Sequence, residues 1–372
     1  MENQEEETIN LGRSLLVPSV QQLVRDEPSI TKIPHRYVHQ LDDHDSSFVS
    51  SDDPLTINPS VPVIDLHNLI ENTSTYSSEL NKLHTASEEW GFFQVINHGI
   101  SESLLEDFRR EILDFFGLSM EEKKHLWQEE NSYEGFGQLF VVSEEQKLDW
   151  SDMFAITTLP RHLRKSQLFQ KLPPLLRDKL EAYSAEVKKL AVAILGQMGK
   201  ALGIKTEEMS ELFEDGFQAM RMNYYPPCPQ PELALGFSPH SDADALTILY
   251  QLNQTDGLQI RKDGKWVTIK PLPNALVVNI GDIMEIVSNG VYKSIEHRAM
   301  VNEHNERLSV ATFYCSTMGT EVGPAQSLVA QHKVENFRRV PLEEYFKECF
   351  ARKLDECIVE KVFSIISASL IS

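Results

Sequence analysis

Five polar residues in the second half of the chain have types and spacings that suit metal chemistry. They are His240, Asp242, His297, Arg307 and Ser309. Two imidazoles and one carboxylate form the ligand set that holds non-haem Fe(II) on one side and leaves other coordination positions open. An arginine and a serine close behind the last ligand can hold a carboxylate. The combination predicts a site for iron and a small keto acid, and therefore oxygen activation.

The metal ligands must come from separate strands. Side chains two residues apart on an extended chain point to the same side, so His240 and Asp242 can both reach one ion. His297 lies in a β-rich run at 293–301 and has to approach from elsewhere in the fold. Imidazole and carboxylate without thiolate match the ligand preference of iron. The tripeptide H-x-D is common, however, and by itself indicates a metal site only weakly.

Two further β-rich runs carry groups that can hold a keto acid. By the two-residue period of a strand, Arg307, Ser309 and Phe313 share one face. If that face is buried, the guanidinium needs an anionic partner, which a ligand carboxylate supplies. Asn223 and Tyr225 share a face of an earlier strand, and both can donate to the acid's oxygens. Taken singly, Arg307 could be a surface residue in a salt bridge and Tyr225 could be a packing group. The prediction of a keto-acid site therefore depends on the order of all these residues along the chain.

The overall composition excludes several classes of function. The chain has 372 residues, 41% of them hydrophobic, which is enough for a sizeable core, and its net charge is −21. No cluster of lysine and arginine is present, so we expect no nucleic-acid partner. The four cysteines form no C-x-x-C pair, which favours free thiols in a reducing compartment. With no secretion signal and no apolar stretch long enough for a membrane span, we expect a soluble cytoplasmic protein.

The chain divides into four regions that differ in composition and in the pattern of apolar residues. Residues 1–60 read as a mobile arm, because 40–60 is rich in Asp, Ser and Pro. Residues 61–215 mix short strands with helices, and a long amphipathic helix is predicted from 176 to 202. Residues 216–320 hold many short β-rich runs separated by turn signals, which is typical of a jelly roll. Residues 321–372 return to a helical pattern.

Several element boundaries can also be predicted. The runs expected to form strands are 61–66, 92–96, 217–225, 245–252, 257–269, 275–280, 293–301 and 307–315. Helices are expected at 77–90 and from Ser101, a suitable N-cap, to Phe116. Ser119 and Glu122 have the spacing of a capping box before another short helix.

Several segments along the chain resemble those of a known family. The segments VPVIDL (61–66), EEWGFFQVINHGI (88–100), RMNYYPPCPQPELALGFSPHSDADALTIL (221–249), SNGVYKSIEHRAMVN (288–302) and ERLSVATF (306–313) resemble the plant 2-oxoglutarate- and Fe(II)-dependent dioxygenases of specialised metabolism. The segment 134–165 is similar to a narrower branch. That branch holds the benzylisoquinoline alkaloid O-demethylases of the thebaine and codeine type and the senescence-related oxygenases.

The resemblance implies a fold, a ligand set and a reaction. The fold would be a double-stranded β-helix, a mixed α+β jelly-roll core with helices packed on it. Fe(II) would be held by His240, Asp242 and His297. The co-substrate 2-oxoglutarate would be held by the four residues Asn223, Tyr225, Arg307 and Ser309. With O2, and ascorbate as reductant, such an enzyme hydroxylates or O-demethylates a small molecule and releases succinate and CO2.

The substrate pocket and the assembly state are further expectations. Phe313 shares the predicted inward face with Arg307 and is the first candidate for the pocket, followed by Tyr133 and Phe136. Aromatic walls suit a planar or polycyclic plant metabolite of the alkaloid or flavonoid class. One departure from many relatives is Tyr314–Met318, which lacks their proline and affects a loop near the pocket. We expect a monomer without a membrane partner.

Two alternatives stay open at the level of the sequence. An enzyme of the same fold can work without 2-oxoglutarate, as an ethylene-forming oxidase or a norcoclaurine synthase-like condensing enzyme does. The chain can also be a small-molecule-binding protein that keeps the fold without turnover. Such proteins commonly lose a metal ligand, and all three ligands are present here.

Overall fold

The computed structural model describes residues 14–39, 60–129, 132–138, 141 and 143–350. Its strands are β1 (Val63–Asp65), β2 (Phe92–Ile96), β3 (Gly135–Gly137), β4 (Asp152–Leu159), β5 (Gln218–Tyr225), β6 (Leu235–His240), β7 (Leu246–Gln251), β8 (Leu258–Lys262), β9 (Lys265–Thr268), β10 (Leu276–Ile280), β11 (His297–Met300), β12 (Arg307–Tyr314), β13 (Glu321–Val322) and β14 (Val340–Pro341). The helices are α1 (Val20–Asp26), α2 (Leu66–Ile70), α3 (Tyr76–Thr85), α4 (Glu102–Gly117), α5 (Met120–Lys123), α6 (Ser166–Lys171), α7 (Pro174–Leu202), α8 (Thr206–Phe213), α9 (Asp282–Val287), α10 (Gln326–His332) and α11 (Leu342–Phe350).

Two sheets form the core and confirm the predicted jelly roll. The large sheet has eight strands in the order β1-β2-β10-β7-β12-β5-β4-β3, and the small sheet has the order β6-β11-β8-β9. Strands from both sides of residue 216 therefore share the large sheet, so the first part of the chain extends the barrel. β13 and β14 form a separate pair. The space between the large and small sheets holds the predicted site.

Most predicted strands are present, but the five strands β3, β4, β6, β13 and β14 were not predicted. β4 and β6 escaped notice because neither shows the alternation of apolar and polar residues that marks a half-buried strand. Seven of the eight residues of β4 are buried, since helices cover one face and the barrel interior the other. β6 ends in Ser238, Pro239 and His240, which read as a turn.

Helices α4 and α7 cover the outer face of the large sheet. Ser101 caps α4, because its side chain accepts a hydrogen bond from the backbone N–H of Leu104, and the capping box of Ser119 and Glu122 is formed. The helix expected at 77–90 is α3 followed by one π-helical turn that ends at Gly91. Gly91 has φ +60° and a Cβ there would lie 2.3 Å from the carbonyl oxygen of Lys293, so only glycine fits.

The expectation of a mobile arm over residues 1–60 is wrong for residues 14–39. Helix α1 begins on the carboxylate of Asp152, which accepts hydrogen bonds from Ser19 Oγ at 2.6 Å, Val20 N at 3.0 Å and Gln21 N at 2.8 Å. Lys123 Nζ donates to Gln21 Oε1 at 2.5 Å. These partners lie more than a hundred residues away, so local composition could not show them. The predicted linker at 40–59, residues 1–13 and the end of the chain after 350 lie outside the described residues.

Candidate metal and co-substrate site

The three predicted metal ligands meet between the two sheets. His240 ends β6, His297 begins β11, and the two residues are paired in register across the small sheet. His240 Nε2 lies 3.5 Å from Asp242 Oδ1, and His297 Nε2 lies 3.6 Å from Asp242 Oδ2. One ligand atom from each residue lies within 4.8 Å of the others, and all three side chains are buried. This is the geometry of a group that can share one ion.

Backbone contacts set the tautomer of both imidazoles. His240 Nδ1 lies 2.9 Å from the carbonyl oxygen of Ser238, and His297 Nδ1 lies 3.1 Å from that of Ile295. A carbonyl can only accept, so each Nδ1 carries the proton and each Nε2 keeps its lone pair. His240 Nε2 is buried without a hydrogen-bond partner among the described residues. The donor atoms therefore fit a metal ion.

Charge and burial keep the ligands in their metal-binding forms. Burial, and then the neighbouring imidazole of His240, lower the pKa of His297 to about 4, so this ring is neutral near neutral pH. Burial by itself would raise the pKa of Asp242. Its contacts with His297 and His240 outweigh burial and hold that pKa below the usual value. An imidazole that binds a metal is neutral, so a divalent ion held by these three ligands would leave the site with a net positive charge.

Two side chains of the large sheet orient the carboxylate of Asp242. Its Oδ2 accepts from Thr247 Oγ1 at 2.6 Å and from Asn279 Nδ2 at 2.8 Å. Thr247 Oγ1 also lies 3.0 Å from Asp244 Oδ2. A hydroxyl has one proton, so when it donates to Asp242 the carboxyl of Asp244 must donate to it. Burial, and then the charge of Asp242, raise the pKa of Asp244, which agrees with a neutral carboxyl.

These orienting donors give a first prediction. We expect Asn279→Ala and Thr247→Val each to weaken Fe(II) binding by roughly 10- to 100-fold, because partners behind a metal ligand have effects of that size. Anaerobic Fe(II) titration measures the affinity. Thr255→Val removes an exposed hydroxyl from Glu306 O and serves as the control. Wild-type affinity in both variants would show that Asp242 needs no orienting donors.

The predicted carboxylate-binding residues also converge. In the antiparallel pair of β5 and β12, Arg307 faces Tyr225 and Ser309 faces Asn223. The guanidinium of Arg307 is buried, lies 5.1 Å above the ring of Tyr225, and donates to Gln251 Oε1 at 3.1 Å. Ser309 Oγ lies 3.5 Å from Arg307 Nη1. Among the described residues no carboxylate forms an ion pair with Arg307, so its charge is available to an anion.

The cavity between the sheets joins the triad to Arg307, and Phe313 is part of its wall as predicted. Its lining residues are Phe92, Arg221, Asn223, Tyr225, Phe237, His240, Asp242, Thr247, Leu249, Leu258, Asn279, His297, Arg298, Ala299, Arg307, Ser309, Ala311 and Phe313. Tyr133 is not among these lining residues, and its hydroxyl lies 2.8 Å from Thr157 Oγ1. Its place in a substrate pocket stays a prediction.

The prediction that Phe136 lines the substrate pocket is wrong. Phe136 is fully buried on the other face of the large sheet, where its ring contacts Phe115, Phe116 and Trp127. Alternation along β3 decides this, since its strand partner Phe154 also faces the helices. The Gly-rich sequence around it gave no sign of which face was inward.

Because Phe136 is buried in the hydrophobic core, we expect it to contribute to the stability of the fold and not to ligand binding. Phe136→Ala should lower the free energy of unfolding by about 3–5 kcal/mol, as expected for loss of a buried aromatic ring. Denaturant unfolding measures this value, and Phe136→Leu, which fills most of the space, should lose less. The affinity of the folded variant for 2-oxoglutarate should stay at the wild-type value. A selective loss of that affinity would return Phe136 to the site.

Sequence reasoning missed several residues that touch the triad. Phe237 packs edge-on against His240 with ring centroids 4.4 Å apart, and Phe92 packs against His297 at 5.3 Å. Thr247 and Asn279 lie in register on β7 and β10. No local pattern announces such contacts, because their meaning depends on which strands become neighbours. The segments 88–100 and 221–249 that carry the family resemblance do contain most of them.

Comparison with known proteins shows the family. Residues 216–316 match the 2OG-Fe(II) oxygenase superfamily, and residues 61–174 match the N-terminal region described as non-haem dioxygenase in morphine synthesis. The chain belongs to the 2-oxoglutarate- and Fe(II)-dependent dioxygenases. It is an enzyme of that class, with iron and 2-oxoglutarate as its cofactor and co-substrate. The resemblance to the O-demethylase branch is also confirmed by the individual relatives.

Those relatives are similar over nearly the whole chain. The oxoglutarate-dependent flavonoid 7-O-demethylase 1 of Ocimum basilicum is 49% identical, covering 93% of this chain and 90% of its own length. The codeine O-demethylase of Papaver somniferum is 47% identical, covering 93% and 96%. The crystal structure of JOX2 with 2OG, Fe and JA superposes with a TM-score of 0.80 at 35% identity, covering 94% and 98%.

Proposed function

We propose that His240, Asp242 and His297 bind the iron, and that Arg307 holds the distal carboxylate of 2-oxoglutarate. The observation that carries this is the buried triad, whose Nε2 atoms turn inward because both Nδ1 atoms are bound to backbone carbonyls. The cationic anchor lies in the same cavity. Ser309, Tyr225 and Asn223 add hydroxyl and amide groups around the co-substrate.

The protein's own residues mainly place and enclose the reactants. When bound, iron and 2-oxoglutarate supply the oxidation of a substrate C–H bond by O2, with release of succinate and CO2. Thr247 and Asn279 fix Asp242, while Phe92 and Phe237 restrict rotation of the two imidazoles. The apolar walls exclude water from the reaction. Placement is decisive, since a shift of about 1 Å can cost on the order of a hundredfold in rate.

For the substrate we propose a small aromatic or polycyclic plant metabolite of the alkaloid or flavonoid class. The aromatic walls formed by Phe92, Phe237 and Phe313 favour a planar molecule. Relatives named as flavonoid and codeine O-demethylases support the same class. Hydroxylation and O-demethylation differ in which C–H bond is oxidised, because a hydroxylated O-methyl carbon leaves as formaldehyde.

A metabolite screen tests this proposal. The enzyme is incubated with Fe(II), ascorbate, 2-oxoglutarate and a plant extract, and products are followed by mass spectrometry. Gain of one oxygen indicates hydroxylation, and loss of one methylene unit indicates O-demethylation. Succinate must form in step with product. Product without succinate would favour an enzyme of the same fold that does not use the keto acid, such as a norcoclaurine synthase-like one.

The cellular location, the oligomeric state and the domain boundaries are not tested by the fold or the site. No helix in the described part of the chain is long and apolar enough to cross a membrane. A cytoplasmic location, a monomeric state and the division of the chain at residues 61, 216 and 321 are predictions from sequence. Anaerobic titration with Fe(II) and 2-oxoglutarate tests the proposed site directly, because iron and the keto acid bound together give a visible charge-transfer band.

A further inference from the structure

The side chain of Arg221 projects into the cavity beside the iron-binding triad. Arg221 lies on β5 in the same face as Asn223 and is paired with Ala155 on β4 and with Ala311 on β12. Alanine on both sides leaves open space around a long side chain. The strand register therefore places the charged side chain of Arg221 in the wall of the cavity. The sequence analysis had assigned no role to Arg221.

Two aromatic rings hold the guanidinium in place. Its Cζ lies 4.2 Å from the ring centroid of Phe237 and 5.2 Å from that of Phe313. Phe237 in turn packs against the metal ligand His240. Stacking on ring faces leaves the edge of a guanidinium, where its N–H groups point, free to meet another group. The cation is therefore preorganised next to the metal.

The guanidinium has no anionic partner among the described residues. Within the part of the chain that the structure describes, Arg221 forms no salt bridge and no side-chain hydrogen bond, and its buried Nε has no acceptor. Arg164, by comparison, is also buried and is paired with Glu181. Burial lowers the pKa of Arg221. The charges of Tyr225 and Asp242 oppose this effect of burial, but neither group forms an ion pair or a side-chain hydrogen bond with the guanidinium among the described residues. A buried charge without a partner is expensive, so a ligand that brings an anionic oxygen gains from it.

The distal carboxylate of 2-oxoglutarate is not that ligand. Arg307 and Phe313 are six residues apart on β12, which corresponds to roughly 20 Å of strand. The guanidinium of Arg221 lies against Phe313 and Phe237, and Phe237 packs on the iron ligand His240. Phe313 is paired with Thr247, which holds the iron ligand Asp242. Arg221 therefore serves the metal end of the cavity, where a substrate has to bind.

We propose that Arg221 recognises an anionic oxygen of the substrate, either a carboxylate or an ionised phenol. This inference rests on the proposed function and narrows its substrate class. Phe237 and Phe313 would contact an apolar or aromatic body, while the guanidinium fork binds the oxygen at its edge. A substrate that carries a protonated amine at this point would place two cations together. The site therefore selects acidic aromatic metabolites and disfavours basic ones.

Paired probes test the inference by binding rather than turnover. The holoenzyme with Fe(II) and saturating 2-oxoglutarate is titrated under anaerobic conditions, by calorimetry and by the shift of the charge-transfer band. One arm compares para-methoxycinnamate with its methyl ester, and the other compares chrysin with its dimethyl ether. We expect at least one acidic probe to bind tighter than its neutral partner by about tenfold or more, as for a charge-assisted hydrogen bond.

The variants decide whether Arg221 causes that preference. Arg221→Met keeps the length of the side chain and should bring the acid-to-ester ratio close to one, while Arg221→Lys keeps the charge and should retain part of it. Arg261→Met removes a cation that stacks on Trp266 away from the cavity lining and should leave the ratio unchanged.

Three outcomes overturn the inference. Equal binding of acid and neutral partner in both arms, or no binding of any acid, removes its basis. The same holds if Arg221→Met keeps the preference, and a tenfold fall in its affinity for 2-oxoglutarate would then show that Arg221 serves the co-substrate. Failure of the proposed function looks different, because wild-type protein would then give no charge-transfer band with Fe(II) and 2-oxoglutarate.

Discussion

Replacement of Asp242 by alanine should abolish turnover while the fold persists. The carboxylate is the only anionic ligand of the triad, and it lies within 3.6 Å of both imidazole Nε2 atoms. Without it the site keeps two imidazole ligands and loses the negative charge that attracts a divalent ion. Succinate formation should fall by at least about a thousandfold, which corresponds to roughly 4 kcal/mol in the activation barrier. The charge-transfer band with Fe(II) and 2-oxoglutarate should vanish as well.

Controls separate loss of the metal from loss of the structure. His240→Ala should behave in the same way, because each removes one of three ligands. Asp215→Ala, which removes an exposed carboxylate beside Lys188, should be as active as the wild type. Circular dichroism and thermal unfolding should show a native fold in all variants. Full activity in either ligand variant would contradict the metal assignment.

Replacement of Arg307 by leucine should raise the requirement for 2-oxoglutarate steeply. The guanidinium is buried, donates to Gln251 Oε1 at 3.1 Å and to Ser309 Oγ at 3.5 Å, and forms no ion pair within the described residues. Loss of one partner of a buried charge pair costs about 2–5 kcal/mol, or roughly 30- to several-thousandfold in affinity. We expect that change in the KM for 2-oxoglutarate and in the titration of the charge-transfer band.

Graded replacements identify the cause of that loss. Arg307→Lys keeps the charge without the planar fork, so its KM should lie between those of the wild type and the leucine variant. Fe(II) affinity measured without 2-oxoglutarate should be unchanged, because Arg307 does not contact the triad. A wild-type KM in Arg307→Leu would move the keto-acid anchor elsewhere in the cavity.

Much of the barrel could be predicted because its signals are local. The period of the β-rich runs located most strands, and caps such as Ser101 located helix starts. Strands that were not predicted include β4, which is buried on both faces, and β6, which contains turn-like residues. Phe136 failed for a related reason, since a three-residue strand in a Gly-rich segment does not reveal which of its faces is inward.

The sequence by itself determined the chemistry of the site. The order of His240, Asp242, His297, Arg307 and Ser309 defines a ligand set and an anion anchor before any fold is known, because ligand type and spacing are properties of the chain. It also determined the alternation that brings Arg307 and Ser309 to one face. These are short-range facts, fixed by covalent geometry.

Only the tertiary structure decided which residues orient the metal ligands and which side chains line the cavity around them. Strand pairing brought Thr247 and Asn279 to Asp242, and Phe92 to His297. It also left Arg221 stacked between two rings without an anion. Such contacts join residues far apart in the chain, and they depend on register, where a shift of one residue reverses every side chain.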